Sequence, residues 1–353
     1  MAQMRAVVLK GVREVAVEMR PVPTIQEPGD IIVKVRYTAL CGSEMHVFRG
    51  VQASAPGFIM GHEFTGSVHE VGSSVKSVQL GDSIVSPFTV SCGECFYCIR
   101  GFSSRCKKCL LFGCPLLDGG QAEYVRIPFA DSTVVKAPPG IEDKKLCLMA
   151  DILPTGFFAA SNGLGKLDPE TVQDSVVVVI GCGPVGLCAV IAALDYKPKA
   201  VLAVDGVPSR LEIAKSLGAE PWNYLTSKDS LSARVQELTD GRGADVVLEV
   251  VGQSSALEMG FELLRPWGII SSVGVHHGSI PWTGNQAYNK NLTIQMGRCP
   301  TRSIFLKALD LLERKQHLMN FMTDAMMPLT EAIEGYRLFD EAKVQKVIFD
   351  AEK

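Results

Sequence analysis

The sequence has almost no excess charge of either sign. Its 35 Lys and Arg residues nearly balance its 38 Asp and Glu residues, which leaves a formal net charge of −3. A surface for nucleic acid or for acidic membranes normally appears as an excess or a run of basic residues. No such run is present, so the sequence predicts a small-molecule partner, no nucleic acid and no membrane.

Long apolar segments are also scarce. The opening letters, MAQMRAVVLK, contain no apolar leader and no cleavage site, so we expect a cytoplasmic protein. A charge-free stretch at 175–194 is long enough to span a bilayer. However, it begins with the β-branched run VVVVI and has GCGPVG at its centre, which a strand, a turn and a helix explain better.

The length and the pattern of apolar residues predict two domains. A chain of 353 residues exceeds the size at which one core keeps growing. Short runs such as RAVVL, IIVKV and AEYVRIP in the first 150 residues predict a β-rich domain. After about Thr155, strands alternate with helices, which predicts a parallel sheet. The helical segments and the strand KVIFDA after Lys290 fit either domain.

Four cysteines lie close together in the segment SCGECFYCIRGFSSRC. Cys92, Cys95, Cys98 and Cys106 have the ligand type and spacing of a closed, tetrahedral structural zinc site. An iron–sulfur cluster is the alternative metal centre. Disulfides would need an oxidising compartment, which the absence of a leader disfavours.

A glycine-rich turn follows the run VVVVI and precedes a helical segment. The spacing G-x-G-x-x-G in this context is typical of a dinucleotide-binding loop. Its glycines allow a tight turn, a close approach to a pyrophosphate and close packing of helix on strand. The predicted phosphate-binding loop comprises Gly181, Gly183, Pro184, Val185 and Gly186.

An acidic residue follows this loop at the expected distance. Asp205 ends the run AVLAVD, where a carboxylate accepts hydrogen bonds from the ribose hydroxyls of NAD and repels the extra phosphate of NADP. Arg210, on the next helical segment, is a candidate for bracing the adenosine ribose. The alternatives are a solvated aspartate at a strand end and a solvated arginine.

Two short segments supply further candidate functional residues. CGSEMH contains Cys41, Ser43 and His46, and GHE contains His62 and Glu63. Together with the four-cysteine cluster and the glycine loop, in this order, they make the chain resemble the zinc-dependent medium-chain alcohol dehydrogenase family over essentially its whole length. Gly42 departs from relatives that carry a pyrophosphate-binding arginine at that position.

The resemblance implies an α/β fold with two domains. A β-rich GroES-like catalytic domain is expected at 1–153 and 291–353, and a Rossmann domain with a doubly wound parallel sheet at 154–290. It also implies two zinc ions per chain, NAD as the cofactor and a homodimer or homotetramer formed through the edge of the Rossmann sheet. The implied reaction is hydride transfer between NAD and an alcohol, aldehyde or ketone.

The resemblance also assigns residues to the catalytic zinc. Cys41 and His62 match two ligands, and Asp151 stands where many relatives have a third, cysteine ligand. Glu63 matches an acidic neighbour of the metal. The alternative for Asp151 is a helix N-cap before LPTGFF. Ser43 matches a hydroxyl that contacts the substrate oxygen, and His46 matches the far end of a proton relay.

Other matched residues concern the cofactor and the substrate. The resemblance places Thr155 and the backbone of Val275 at the nicotinamide carboxamide, and Lys346 near the pyrophosphate. Apolar side chains near the expected substrate pocket favour alkyl or aromatic alcohols over sugars. They are Phe48, Phe88, Leu111 and Phe112.

Two other functions fit much of this pattern. Polyol and amino-alcohol dehydrogenases of the same family share nearly every motif. A zinc-stabilised NAD-binding protein without turnover is the alternative from another class, but it gives no reason for Cys41, Ser43, His46, His62 and Asp151 all to be present.

Overall fold

The computed structural model describes residues 2–353, apart from the side chains at positions 228 and 229. Short strands and single helical turns make up the first part of the chain, as the alternating sequence pattern predicts. These elements are β1 (Gln3–Gly11), β2 (Glu14–Pro21), β3 (Ile31–Ala39), α1 (Gly42–Phe48), β4 (Glu63–Val71), β5 (Ser83–Ser86), α2 (Phe96–Ile99), β6 (Tyr124–Ile127), α3 (Ala130–Thr133), β7 (Val135–Lys136) and α4 (Asp143–Leu146).

Helices and strands then alternate. They are α5 (Ile152–Gly163), α6 (Pro169–Asp174), β8 (Val176–Ile180), α7 (Pro184–Asp195), β9 (Ala200–Asp205), α8 (Pro208–Leu217), β10 (Glu220–Asn223), α9 (Lys228–Leu238), β11 (Ala244–Glu249), α10 (Ser254–Leu263), β12 (Leu264–Ser272), α11 (Gly284–Lys290) and β13 (Thr293–Met296). The strands form a parallel sheet in the order β10-β9-β8-β11-β12-β13. The predicted Rossmann-type sheet is therefore confirmed.

The charge-free stretch at 175–194 is split between β8, the glycine loop and α7. All five residues of β8 are buried, which agrees with a central parallel strand covered on both faces. Among the residues that the structure describes, no helix is both long and apolar enough to cross a membrane.

The last part of the chain adds strands to a sheet formed by the first part of the chain. Its elements are α12 (Thr301–Lys315), β14 (Met326–Pro328), α13 (Ala332–Asp340) and β15 (Ile348–Asp350). β15 pairs antiparallel with β3, and the sheet order is β14-β15-β3-β4-β5-β7, with β6 also on β3. Within the described residues, short 3₁₀ helices connect elements at Ser103–Arg105, Cys147–Ala150, Leu164–Lys166, Gln316–Met322 and Leu329–Glu331.

The chain forms two compact units. One contains the residues up to Pro154 together with Pro300–Lys353, and the other contains Thr155–Cys299. The sequence-based domain boundary after residue 290 lies nine positions earlier than the end of the second unit. The difference arises because β13 pairs in parallel with β12, which keeps the segment 291–299 with the second unit's sheet.

Candidate metal centres and nucleotide site

The four clustered cysteines converge in the first unit. The sulfur atoms of Cys92, Cys95, Cys98 and Cys106 all lie within 4.8 Å of one another. Zinc–sulfur bonds of about 2.3 Å in a tetrahedron place sulfur atoms about 3.8 Å apart, so one ion fits among them. Two backbone N–H groups, of Cys92 and Lys108, donate to Cys106 Sγ at 3.2 and 3.3 Å.

Backbone donors also favour thiolate at this cluster. N–H groups of Lys107 and Cys98 lower the pKa of the Cys95 thiol to about 6, so this sulfur ionises readily. Burial instead raises the pKa of Cys98 to about 12. A bound cation would bring the second thiol to the same thiolate state, because metal binding displaces the proton.

A second potential ligand cluster joins three distant parts of the first unit. Cys41 precedes α1, His62 immediately precedes β4, and Asp151 lies between the 3₁₀ helix Cys147–Ala150 and α5. Asp151 Oδ2 is 3.3 Å from both Cys41 Sγ and His62 Nε2. Bond lengths of about 2.0–2.3 Å to a tetrahedral zinc ion imply ligand separations of about 3.3–3.8 Å. Asp151 thus lies at ligand spacing from the other two residues, and one ligand atom from each of the three lies within 4.8 Å of the others.

The electrostatics of this cluster also fit a cation. Burial and the nearby Asp151 raise the pKa of the Cys41 thiol to about 11, which reflects the cost of a second negative charge there. Burial lowers the pKa of His62, but Cys41 and Glu44 outweigh this effect and raise it. A dication among these ligands would remove both effects, since it stabilises thiolate and carboxylate and takes the imidazole in its neutral form.

Ser43 lies beside the second cluster. Its Oγ donates to Cys41 Sγ at 3.3 Å and is also 3.3 Å from His62 Nε2. His46, one turn further along α1, is half-buried. Phe88 is buried, and its ring lies 6.1 Å from the His62 ring between centroids, at an interplanar angle of 63°; Leu111 is half-buried.

Two other apolar side chains expected at the substrate pocket lie in the core. Phe48 packs on Tyr336 and Phe112 packs on Phe64, each with ring centroids 5.1 Å apart. Phe112 has no exposed surface. The structure thus gives both rings packing contacts within the first unit, and their contact with substrate stays a prediction.

Glu63 belongs to the same group of potential ligands but has a partner of its own. Lys346 Nζ lies 2.7 Å from Glu63 Oε1 and 2.6 Å from Oε2, and both side chains are fully buried. Burial raises the pKa of Glu63 to about 7, and Lys346 opposes this rise. In the structure the Lys346 ammonium group pairs with this buried carboxylate inside the first unit, and its expected place near a pyrophosphate stays a prediction.

Sequence reasoning missed a buried carboxylate next to this cluster. Glu44, in the first turn of α1, accepts a hydrogen bond from the Cys41 N–H at 3.1 Å, and its Oε1 is 3.5 Å from His62 Nδ1. Oε1 has no hydrogen-bond partner among the described residues. The only signal in the sequence was an acidic residue three positions after the candidate ligand Cys41. Glu44 matters because a carboxylate beside a histidine ligand fixes the tautomer of the histidine ring.

The glycine loop in the second unit has the conformation that its spacing predicts. Gly181 follows β8 with φ +95°, a region open mainly to glycine. A Cβ atom on Gly186 would lie 1.8 Å from the carbonyl oxygen of Gly181. Gly183 is the N-cap of α7 and Pro184 its first residue, so Val185 lies in the first turn. Free N–H groups at such a helix start favour a phosphate.

Asp205 ends β9, the strand next to β8 in the sheet. Its Oδ2 accepts a hydrogen bond from the Cys182 N–H at 2.7 Å, and its Oδ1 accepts one from the Val207 N–H at 2.8 Å. Arg210 Nη1 is 3.7 Å from Oδ2. The carboxylate is thus held next to the loop between Gly181 and Gly183. The ribose of a dinucleotide whose pyrophosphate is bound at that loop would lie beside it.

The residues expected at the nicotinamide lie at two places in the second unit. Thr155 is buried in the first turn of α5, and Val275 is exposed just after β12. A buried acidic side chain that the sequence reasoning did not single out organises the region after β11. Glu249 Oε2 accepts from Ser272 Oγ at 2.7 Å and lies 2.9 Å from His276 Nε2, next to Val275.

Comparisons with known proteins identify the family. The alcohol dehydrogenase GroES-like domain family matches residues 27–139, and the zinc-binding dehydrogenase family matches residues 184–314. Zinc-type alcohol dehydrogenase B from Aspergillus flavus is 65% identical over 349 residues, which are 99% of this chain and 82% of that protein. The chain belongs to the zinc-dependent medium-chain alcohol dehydrogenase family. It is therefore a zinc-dependent oxidoreductase of the alcohol dehydrogenase type, a family in which NAD use is the norm.

Two further relatives agree with this assignment. Medium chain reductase/dehydrogenase ucsI from an Acremonium species is 54% identical over 286 residues, covering 81% of this chain and 98% of that protein. Among solved structures, alcohol dehydrogenase TADH from Thermus sp. ATN1 has a TM-score of 0.91 at 35% identity, covering 98% of this chain and 99% of that one. The predicted combination of a GroES-like part and a Rossmann sheet is confirmed.

Proposed function

We propose that this dehydrogenase oxidises a small alcohol to an aldehyde or ketone, and catalyses the reverse reaction, with NAD as hydride acceptor. The observation that carries the proposal is the spacing of Cys41 Sγ, His62 Nε2 and Asp151 Oδ2, with the Ser43 hydroxyl 3.3 Å from two of them. In this proposal the first unit supplies the catalytic metal site and the second unit supplies the nucleotide site.

The ligand set defines what the metal contributes. Zinc held by Cys41, His62 and Asp151 would lower the pKa of a substrate hydroxyl by acting as a Lewis acid, while NAD would accept the hydride. One thiolate, one carboxylate and one neutral imidazole balance the charge of a zinc ion. Because carboxylate is a harder ligand than thiolate, this set leaves the metal more electrophilic than two thiolates would.

Ser43 and His46 provide a route for the substrate proton. Ser43 Oγ is within hydrogen-bond distance of the ligand cluster, so it can take up the proton that the substrate hydroxyl loses while it passes on its own proton. His46, on the next turn of the same helix, would be the far end of this proton route. Glu63, held by Lys346, would supply a buried negative charge beside the metal.

The nucleotide site favours NAD over NADP in this proposal. Gly181, Gly183 and Gly186 would admit the pyrophosphate, and Asp205 would accept hydrogen bonds from the adenosine ribose. Its two backbone donors fix the carboxylate in place, so it would repel a 2′-phosphate. Arg210 would brace the same ribose, and Thr155 and Val275 would contact the nicotinamide carboxamide.

We also propose a second, structural zinc ion. The four sulfur atoms of Cys92, Cys95, Cys98 and Cys106 would hold it, which gives two ions per chain. Such a site needs reduced thiols, and this requirement supports a reducing, cytoplasmic compartment.

The edge of the second unit's sheet supports a homo-oligomer. β13 is the last strand in the order, and its Ile294 and Met296 side chains are exposed. An exposed edge strand with apolar side chains readily pairs with another strand. We propose that two copies pair along β13 as a homodimer, the unit from which a tetramer would also be built.

The substrate is proposed to be an alkyl or aromatic alcohol. Phe88 is an apolar ring beside His62, and the segment that carries Leu111 lies next to the segment that carries Phe88, since the Phe112 N–H donates to the Phe88 carbonyl. An apolar surface favours an apolar substrate over a polyol, whose hydroxyl groups would lose hydrogen bonds to water. A polyol or amino-alcohol dehydrogenase remains the alternative within the family.

A cofactor-coupled screen tests the proposal. Zinc-loaded protein is given primary, secondary and aromatic alcohols, polyols and amino alcohols with NAD or NADP, and aldehydes with the reduced cofactors. We expect turnover with apolar alcohols and NAD, and its loss in Ser43→Ala despite retained zinc and cofactor. Activity confined to polyols would favour the alternative, and none on any substrate despite bound zinc and NAD would indicate a non-catalytic NAD-binding protein.

A further inference from the structure

A continuous chain of buried polar side chains leads away from His62 into the first unit. Tyr336 Oη donates to Gln121 Oε1 at 2.8 Å, and Gln121 Nε2 donates to Glu44 Oε2 at 3.3 Å. The other oxygen of Glu44 lies 3.5 Å from His62 Nδ1. Gln121 is fully buried and Tyr336 is 1% exposed, so solvent does not compete for these contacts.

Backbone contacts fix Gln121 beside the segment that carries His62. The Gln121 N–H donates to the Met60 carbonyl at 2.9 Å, and the Gly120 N–H donates to the Gly61 carbonyl at 2.9 Å. Gly61 has φ +98°, and a Cβ atom there would lie 2.5 Å from Gln121 Cγ. The glycine therefore allows the glutamine to pack directly against the residue that precedes His62.

The chemistry of the groups gives the chain a direction. Ionised Glu44 only accepts hydrogen bonds, so Gln121 must present its NH₂ group to Glu44 and its carbonyl oxygen to Tyr336. The Tyr336 hydroxyl must then donate. At the other end, Glu44 Oε1 lies 3.5 Å from His62 Nδ1, and an ionised carboxylate oxygen favours the tautomer in which this nitrogen carries the proton. In that tautomer Nε2 carries no proton and has a free lone pair for a metal ion. Nε2 is the atom that faces Asp151.

Gln121 also controls where the Glu44 carboxylate points. Two donors hold Glu44 Oε2, the Cys41 N–H at 3.1 Å and Gln121 Nε2 at 3.3 Å, and together they turn Oε1 toward His62. Without the amide, the carboxylate keeps only backbone donors, of Cys41 and Gly61, and loses the side-chain contact that holds Oε2 on the side of Gln121. His62 would then lose the fixed acceptor that orients its ring.

We propose that Gln121 and Tyr336 are positioning residues for the catalytic metal site. They hold Glu44 so that His62 keeps the tautomer and ring orientation in which Nε2 binds zinc. This inference rests on the proposed ligand set of Cys41, His62 and Asp151, and extends it by two residues that touch neither metal nor substrate.

The test uses full-length protein and measures zinc affinity at each site by competition with a chromogenic chelator. Gln121→Met keeps the size of the side chain but removes its hydrogen bonds, and Tyr336→Phe removes one hydroxyl. We expect zinc affinity at the Cys41 site to fall about tenfold in Gln121→Met. This is the lower end of the effect of changing residues that position metal ligands. Tyr336→Phe should lower it about threefold, since it acts one hydrogen bond further away.

The four-cysteine site serves as an internal control, because its affinity should not change in either variant. Ile127→Val, a core change in the same unit, controls for lost stability and should leave both sites unaffected. The visible spectrum of the cobalt-substituted protein gives a second readout, which should change in Gln121→Met only if coordination by His62 is altered.

Unchanged affinity and an unchanged cobalt spectrum in both variants would overturn the inference. If Gln121→Met does not fold, Tyr336→Phe decides the question alone, and wild-type affinity there overturns it. If the His62→Ala variant instead keeps the zinc content of the wild type, that result would contradict the proposed ligand set. The two failures are therefore distinguishable.

Discussion

Asp151 offers the sharpest test of the catalytic ligand set, because it has a simple alternative role at the start of α5. Asp151→Asn preserves the shape of the side chain but removes one negative charge and one strong donor to the metal. In the structure, Asp151 Oδ2 is 3.3 Å from both Cys41 Sγ and His62 Nε2, so the change falls in the centre of the cluster.

The expected magnitude follows from what each role would cost. Changes to residues behind metal ligands lower affinity about 10–100-fold, or about 1.4–2.7 kcal/mol, and loss of a ligand should cost more than the lower end of that range. A helix cap would behave differently, since Asn caps a helix about as well as Asp. The ligand role thus predicts more than about a tenfold loss of both zinc affinity and kcat, and the capping role predicts almost none.

The assay combines zinc analysis, chelator competition and kcat on the same samples. Asp168→Asn is a matched control, because Asp168 caps α6 by accepting from the Thr171 N–H at 3.0 Å. This variant should retain both zinc ions and full turnover. Asp151→Cys should restore zinc binding, since it supplies a thiolate ligand. An Asp151→Asn variant with normal zinc content and turnover would refute the ligand assignment.

Three further predictions address the nucleotide loop and the buried ion pair. Asp205→Ser should shift the ratio of kcat/KM for NAD over NADP toward NADP by about tenfold, equal to about 1.4 kcal/mol of like-charge repulsion removed. Gly186→Ala should destabilise the protein by about 1–3 kcal/mol and weaken NAD binding, because its Cβ would lie 1.8 Å from a carbonyl oxygen. The control Gly284→Ala has open space around it and should leave stability and NAD binding nearly unchanged. Lys346→Met should lower the free energy of unfolding by about 3–5 kcal/mol, because it leaves Glu63 as a buried unpaired charge.

Each of these predictions has a contradicting result. A wild type that already prefers NADP would remove Asp205 from the ribose site. Normal NAD affinity in Gly186→Ala would mean that the loop tolerates a side chain. If Lys346→Met and the double variant with Glu63→Gln are equally destabilised in urea unfolding, the ion pair is not the cause, because the double variant should recover much of the loss.

Sequence reasoning succeeded where the signal is local. The four cysteines lie within one short segment, and Gly181, Gly183 and Gly186 lie within one turn, so spacing alone predicts what each group does. Residues that meet only through folding were accessible solely through the family resemblance. Asp151 is 110 positions from Cys41 and 89 from His62, yet contacts both.

Other features carried no usable signal. Gln121 is 77 positions from Glu44 and 215 from Tyr336, and neither type of residue is a metal ligand, so nothing in the letters connects them. For Phe48 and Phe112 the sequence does not distinguish a pocket residue from a core residue, because an aromatic side chain suits both. Helical periodicity in 301–340 does not show which unit the segment belongs to. The strand after it, β15, pairs with β3, which keeps this part of the chain with the first unit.

Zinc content measured together with turnover tests the central claim most directly. We predict two zinc ions per chain in active wild-type protein, because two separate ligand clusters are present. Cys41→Ser should retain one ion and lose turnover, whereas Cys95→Ser should lose the other ion and stability. Wild-type protein that is fully active with one zinc ion or none would contradict the account.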